Sequence, residues 1–296
     1  MQNKYETQRL VLNEINPNDA EFILELVNTP EWLEFIGERN IGSVAQANEY
    51  IDKIIMNPKS NFWVVRTKDR QDAIAIITFI KKDYLDYHDL GFAFLSKYTN
   101  KGFAYEASMA VLSDAIKHFN YKNILATTVK ANTNSIKLLK KLGFQFQKEI
   151  ENDGDQLMVY AITADKFDID QLTKSFFSIF TNSNKQQPDW SLIHTICLPE
   201  TIILKKSSKE EEVYNLDTFI EPRRKILSDG TLTEFEEYEI LEETRILDNI
   251  AQRYSNFQKH GYFNQTYFKE KGNKLFQFVK TKDGWKISAV IWEDHS

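Results

Sequence analysis

At 296 residues, 42% hydrophobic and 13% aromatic, the chain is long and apolar enough to bury the cores of two ordinary domains. Its net charge of −6 is evenly spread, with 19 basic against 22 acidic residues up to residue 165 and 18 against 21 beyond it. Neither half offers the basic face that nucleic acid demands, so no nucleic-acid partner is expected. No apolar run approaches the roughly 20 residues of a membrane span, and the first residues lack a signal peptide's apolar core. The single cysteine, Cys197, has no partner for a disulfide, and the five histidines show no metal-ligand spacing. The expectation is a cytoplasmic protein with no membrane partner and no metal.

In chain order, residues 8–14 alternate as a strand with Leu10 and Leu12 on one face. Asn16-Pro17-Asn18-Asp19 opens a helix whose apolar face is Ala20, Ile23, Leu24 and Val27, closed by Thr29-Pro30. Residues 31–37 predict a short helix, and Ser43 with Gln46 forms a capping box for a helix to about residue 56. Strands are predicted at 61–67 and 73–81, with a polar turn between them.

Residues 89–107, DLGFAFLSKYTNKGFAYEA, organise the first half. A strand over 90–95 runs into the polar loop 96–102 and then a helix with apolar or small residues at Ala104, Ala107, Ser108, Val111, Leu112, Ala115, Ile116 and Phe119. That order aims a helix N-terminus and free backbone N–H groups at one spot, which suits a phosphate or pyrophosphate. Gly102 permits close backbone approach there, and Asn100 tolerates a left-handed conformation. An ordinary βα turn fits the loop equally well.

The Lys-Gly-Phe-Ala-x-Glu-Ala stretch and its helix resemble the acyl-CoA motif of GNAT N-acetyltransferases, most of all the ribosomal-protein alanine acetyltransferase branch. In the family's Gln/Arg-x-x-Gly-x-Gly/Ala loop, Gly102 and Ala104 match the last two fixed positions, whereas Thr99 and Asn100 depart from the usual residues. A second segment carries the same resemblance: a strand over 122–129, then Asn132-Thr133-Asn134-Ser135, a helix through Leu142, and Gly143-Phe144. The resemblance implies a mixed sheet flanked by helices over residues 1–165. It also implies acetyl-CoA as co-substrate and an amine of a small molecule, peptide or protein as acceptor.

Acetyl transfer needs an oriented thioester, a base for the amine and an acid for the leaving thiolate. By resemblance, Phe94, Leu95, Thr99, Asn100, Lys101, Gly102, Phe103, Ala104, Asn132 and Ser135 contact the cofactor, and the strand near 124–129 splays from 90–95 to admit the thioester. Asp89 stands where this branch often has the catalytic Glu, and Ser135 where a helix-start Ser serves as acid. Both also fit bland roles, a solvated strand end and a helix cap. His88 is the runner-up base, on the opposite face from Asp89. The family's helix tyrosine is replaced by Leu139. The Thr99 and Leu139 departures leave room for a CoA- or small-molecule-binding protein without efficient catalysis.

After residue 165 the pattern changes. A polar stretch over 164–170 is the expected boundary. Helices follow at 169–180, 190–196 and 217–227, a strand at 200–206 and a charged loop at 207–212. Strands are then expected at 231–240, 244–257, 271–280 and 285–293, with a hairpin turn at Lys282-Asp283-Gly284. Helices followed by antiparallel strands predict an α+β cone. Phe176-Phe177, Ala251-Gln252-Arg253-Tyr254 and Gly284-Trp285-Lys286-Ile287 resemble the cystatin-like, nuclear-transport-factor-2-like family that includes SnoaL-like cyclases and isomerases. The resemblance implies a domain over 166–296, a pocket lined by Trp190, His194, Arg223, Glu239, Tyr254 and Trp292, and an isomerase or cyclase as an alternative activity. The last strand, with Trp285, Ile287, Ala289 and Ile291 on one side and Val290 and Trp292 on the other, is expected to be covered on both faces. That coverage predicts a homodimer through this domain.

Overall fold

The computed structural model describes residues 1–207 and 210–295. The chain divides into two units, Met1–Ala164 and Asp165–Ser296. Among the described residues no helix is long and apolar enough to cross a membrane.

The first unit is built on an eight-stranded sheet. Its strands are β1 (Lys4–Glu6), β2 (Leu10–Glu14), β3 (Ser60–Thr67), β4 (Ala73–Ile80), β5 (Asp89–Phe94), β6 (Asn123–Val129), β7 (Gln145–Asn152) and β8 (Asp155–Thr163). The order is β1-β2-β3-β4-β5-β6-β8-β7, antiparallel except where β5 meets β6. Alternation along the strands sends side chains to two faces. On one face Phe62, Val64 and Ile76 join a core with α1 (Ala20–Val27), α2 (Pro30–Phe35) and α3 (Val44–Ile55). Their sequence neighbours Trp63, Val65 and Ile77 are equally buried and point to the other face. There α4 (Phe103–Lys117) packs on β1, β2, β4 and β5. Tyr5 ties that layer together: its ring meets Trp63 edge-on at 5.4 Å, and its hydroxyl donates to Asp114 of α4 at 2.7 Å.

Local signals set these elements. Ser43 accepts from the Gln46 N–H at 3.3 Å, and the Gln46 side chain reaches back to the Gly42 N–H at 2.8 Å, one residue before the partner a capping box uses. Asp153 and Gly154, both at positive φ, form the tight turn between β7 and β8. α5 (Thr133–Lys141) is capped by Asn132, whose side chain accepts from the Ser135 N–H at 3.0 Å.

The second unit has a six-stranded sheet in the order β10-β9-β14-β13-β12-β11. Its members are β9 (Cys197–Lys206), β10 (Glu211–Tyr214), β11 (Leu232–Leu247), β12 (Ile250–Phe263), β13 (Thr266–Thr281) and β14 (Gly284–Asp294). Only β14 and β9 run parallel. One core joins Phe257, Phe276, Phe278 and Ile287 of the sheet to α6 (Ala164–Ser178), α7 (Leu192–Ile196) and α8 (Leu216–Ser228). Each fully buried phenylalanine contributes about 1.5–3 kcal/mol over its exposed state.

Several expectations for this half are corrected. The polar stretch from residue 164 to 170, where the boundary was expected and the two units divide, is helical and forms the first turns of α6; Lys166 pairs with Asp170 at 2.5 Å, and Phe167 and Ile169 are buried. The strand expected over 244–257 is cut by a turn at Asp248-Asn249, hidden in the sequence by flanking apolar residues; Asp248 accepts the left-handed conformation. β12 and β13 run on to a second turn, where Asn264 and Gln265 both have positive φ. The charged loop expected at 207–212 includes two residues outside those described, and from Glu211 it is the edge strand β10. In β14 the alternation slips: a register shift between Ile287 and Ala289 turns Trp285, Ile287, Val290 and Trp292 all inward, leaving Ala289 and Ile291 outside.

Candidate active site

β4 and β5 pair along their length, from Ala75 opposite Phe94 to Ile80 opposite Asp89. β5 and β6 share a single pair, Asp89 with Leu125, beside which the Leu125 N–H donates to the His88 carbonyl at 2.8 Å. Beyond that pair β6 turns its ladder wholly to β8. The β6-facing backbone of Gly91, Phe92, Ala93 and Phe94 therefore lies half-buried with no strand beside it. An unpaired strand edge within a sheet offers donors and acceptors to an extended ligand.

The closed end of this gap is a cluster of three side chains. The Asp89 carboxylate is 3% exposed; one oxygen lies 2.9 Å from the Lys82 ammonium, and the other accepts from the Thr127 hydroxyl at 3.0 Å. Lys82 also donates to the Thr127 hydroxyl oxygen at 2.9 Å. Burial works against the Lys82 charge, but the adjacent carboxylate outweighs it and raises the ammonium's pKa. On the same face as Asp89 the strand carries only Gly91 and Ala93. A Cβ on Gly91 would run into the Thr78 hydroxyl, so this strip stays low for want of room.

At the open end the chain passes through Leu95, buried in the core beside α1–α3, and a 3-10 turn over Ser96–Tyr98. Asn100 (φ 57°) and Gly102 (φ 79°) both take left-handed conformations around Lys101. Gly102 is the N-cap of α4 and supplies no side-chain cap, so the N–H groups of Phe103 and Ala104 have no intrahelical partner. Alternating backbone hands and helix-start donors form a cradle of the kind that suits an anion. The Thr99 hydroxyl is turned back onto the Ser96 carbonyl at 2.8 Å, and the Lys101 ammonium lies 5.3 Å from the Tyr98 ring centre.

The remaining sequence-derived candidates are placed as follows. Asn132 and Ser135 start α5, just past the end of β6, and Asn132 spends its side-chain oxygen as the cap. The Ser135 hydroxyl makes no hydrogen bond among the described residues. Asp89 sits beside Leu125, four residues (about 13 Å of strand) before Val129, so the two catalytic candidates stand toward opposite ends of the gap. His88 is stacked on Phe79 at 4.9 Å and meets Tyr121 at 4.8 Å; burial, then the Lys81 charge, lowers its pKa. Leu139 is buried.

Sequence reasoning missed Lys82 and Thr127, which belong to no motif. It also missed Arg9 and Glu106. The Arg9 guanidinium lies 2.6 Å from Glu106, donates to the Lys101 carbonyl at 3.0 Å and covers the Phe103 ring at 4.5 Å, clamping the cradle from 92 residues away in sequence. Burial tends to raise the Glu106 pKa, but the Thr7 hydroxyl and the Arg9 backbone and side chain hold it below the usual range.

In the second unit the residues expected to line one pocket do not converge. Tyr254 is on the sheet face away from the core, and Glu239 is held by Arg253 at 2.5 Å. His194 is exposed beside Asp217. Arg223 and Trp292 do meet, at 5.7 Å, but Arg223 donates to the Phe219 carbonyl inside an aromatic surround. Cys197 is buried, which pushes its thiol up to about 12. Among the described residues no group of three His, Cys, Asp or Glu side chains could hold a metal ion.

Comparison with known proteins bears on the first unit. Residues 9–145 match the family model of the acetyltransferase (GNAT) domain. Two Bacillus subtilis proteins, the uncharacterised N-acetyltransferases YnaD and YoaA, are each 27% identical, over 139 and 144 residues; each match spans 47% of this chain and 81% of the relative. A solved structure of an uncharacterised Bacillus halodurans protein overlays 56% of this chain and 93% of its own with a TM-score of 0.50 at 15% identity. Residues 9–145 are thus a GNAT acetyltransferase domain, and the chain that carries it is an N-acetyltransferase.

Proposed function

We propose that the chain transfers the acetyl group of acetyl-CoA to an amine through the gap between β5 and β6, with the pyrophosphate held at Gly102. The observation that carries this reading is the single-pair junction of β5 and β6. It leaves a bare strand edge that runs from the anion cradle to the Asp89 cluster. A pantetheine arm anchored at the cradle and paired with β5 brings its thioester toward Asp89, and Phe94 and Leu95 lie at its entry. Asp89, 2.9 Å from the Lys82 ammonium, takes the proton of the attacking amine, directly or through one water. The amine nitrogen bonds to the thioester carbon, the C–S bond breaks, and the departing thiolate takes its proton from solvent, because Ser135 stands toward the other end of the gap from Asp89. The ribosomal-protein alanine branch is the kinship this loop supports best.

Acetyl-CoA consumption by full-length protein across a panel of small amines and peptides, followed by thiol release, tests the reading. Acetylated product from at least one amine is expected. CoA binding with no transfer to any amine would leave a CoA-binding protein without catalysis.

For the second unit we propose a nuclear-transport-factor-2-like fold that dimerises through its outer sheet face. A cross-strand row of Leu204, Ile291, Leu275 and Tyr254 crosses that face, with Leu275 50% and Ile291 42% exposed. A second copy is the occupant that matches such a row, because an apolar face can bury itself against its own symmetry mate. Full-length protein at tens of micromolar should sediment as a dimer, and Leu275→Lys with Ile291→Lys as a monomer. A monomeric wild type refutes it.

A further inference from the structure

The loop between β4 and β5 is pinned at the head of the gap. Leu85 is buried with Leu125 of β6 and Val159 of β8, and the Lys81 ammonium donates to the Leu85 carbonyl. Lys82 lies between these two anchors, and its side chain bridges β5 and β6. Its ammonium is 2.9 Å from Asp89, 2.9 Å from the Thr127 hydroxyl and 5.8 Å from the Tyr84 ring centre. The Lys82 side chain is still 27% exposed, so it is not sealed away as a core ion pair would be. Among the described residues no other lysine ion-pairs with Asp89. A primary amine of the chain itself thus stands at the carboxylate where the unpaired edge of β5 ends.

From this we infer that Lys82 is itself an acetyl acceptor: with acetyl-CoA bound and no other amine present, the chain acetylates its own Lys82. The inference rests on the reading of the gap between β5 and β6 as the acetyl channel. A thioester brought along β5 toward Asp89 meets the Lys82 nitrogen at the same carboxylate that serves an incoming amine. Lys82 is an ammonium at neutral pH, like any free alkylamine, because the adjacent carboxylate outweighs its burial. Asp89 takes a proton from it first; the freed nitrogen then bonds to the thioester carbon, and the C–S bond breaks. The nitrogen gives up two protons in all, which Asp89 passes to solvent, and the departing thiolate takes one from solvent. Because Lys82 is already held at the base, the step needs no encounter with a second molecule beyond the bound thioester.

The test is incubation of the full-length chain with acetyl-CoA and no added amine, followed by intact-mass and peptide mass spectrometry, for wild type and Lys82→Arg. The amine panel is run in parallel. Wild type should gain an acetyl group on Lys82, at a rate that saturates with acetyl-CoA, is independent of protein concentration and is suppressed by excess CoA. Lys82→Arg, which keeps a cation beside Asp89, should lose that uptake. Uptake by Lys82→Arg equal to wild type would place the acetyl group on another lysine and overturn the inference. So would labelling of Lys82 that rises in proportion to acetyl-CoA and ignores CoA, which marks chemical acetylation from solution. These wild-type rates decide the matter even if Lys82→Arg fails to fold. If amines of the panel are acetylated while Lys82 stays unmodified, this inference falls and the reading of the gap stands. If neither an amine nor Lys82 takes the acetyl group, both fall together.

Discussion

The two sheets treat buried charge in opposite ways. In the first, β5 and β6 part after one pair, and the Asp89 carboxylate stands at the head of an open strip with only Gly91 and Ala93 beyond it. In the second, four long antiparallel strands stay paired almost from turn to turn, and their buried charges answer one another. Arg253, 4% exposed, reaches Glu239 and Asp170 at 2.5 Å and Glu242 at 3.1 Å; Lys274 reaches Glu237 at 2.5 Å and lies 3.6 Å from the Phe257 ring centre. Both regions bury polar side chains, yet in the first the open backbone lies inside the sheet, between β5 and β6, whereas β11, which carries Glu239 and Glu242, is the outer edge of the second. Buried charge alone does not mark a site; the first region adds a gap opened within its sheet.

The comparison breaks most visibly at Arg253. Arg253→Met should destabilise the second unit by about 3 kcal/mol, because three carboxylates lose their shared counter-ion in a water-poor setting. Urea unfolding would show it, and a loss within the error of extrapolation would mean that water already screens the network.

At Asp89 the expected loss is of activity rather than stability. Asp89→Asn should lower turnover by ~10²-fold if the carboxylate is the general base. The measurement is the rate of acetyl transfer across the pH range, on protein whose circular dichroism matches wild type. Undiminished turnover would assign the Lys82–Asp89–Thr127 cluster to holding the strands together.

A smaller effect is expected at the cradle. Gly102→Val forces a side chain into a left-handed residue, at about 1–2 kcal/mol, and its Cβ meets Arg9 Nη2 at 3.3 Å. CoA affinity by calorimetry should fall about 10-fold, the equivalent of ~1.4 kcal/mol. Unchanged affinity in a folded variant would move the pyrophosphate elsewhere.

The subtlest difference is in acid. Burial tends to raise the Glu242 pKa, but Lys166, Arg253 and the Thr244 hydroxyl hold it below the ordinary value of 4.5. A depressed carboxylate stabilises the fold above its unfolded pKa and loses that contribution as pH falls through the lower, folded one. Stability of wild type should therefore drop as pH falls below 4.5, and drop less steeply in Arg253→Met, which has already lost much of the depression. Parallel profiles for the two proteins would show that Arg253 does not set the Glu242 charge.

What could be read from the chain alone was whatever depends on neighbours in sequence. The 3–4 spacing after Phe103 specifies α4, Ser43 and Gln46 specify a helix start, and Asn100 and Gly102 take the left-handed conformations their residue types allow, because periodicity, caps and turn conformations act within a few residues. Only tertiary structure could bring Lys82 and Thr127 to Asp89, or Arg9 to Glu106. Those partners lie 38 and 97 residues apart across Asp89–Thr127 and Arg9–Glu106, and no local pattern encodes which strand lies beside which. The slip in β14 has the same cause: strict alternation puts Ala289 with Ile287, and it is the pairing to β13 and β9 that inserts the extra residue and turns Val290 and Trp292 into the core. Sequence period determines which side chains share a face while a strand remains regular; the neighbouring strands decide where it does not.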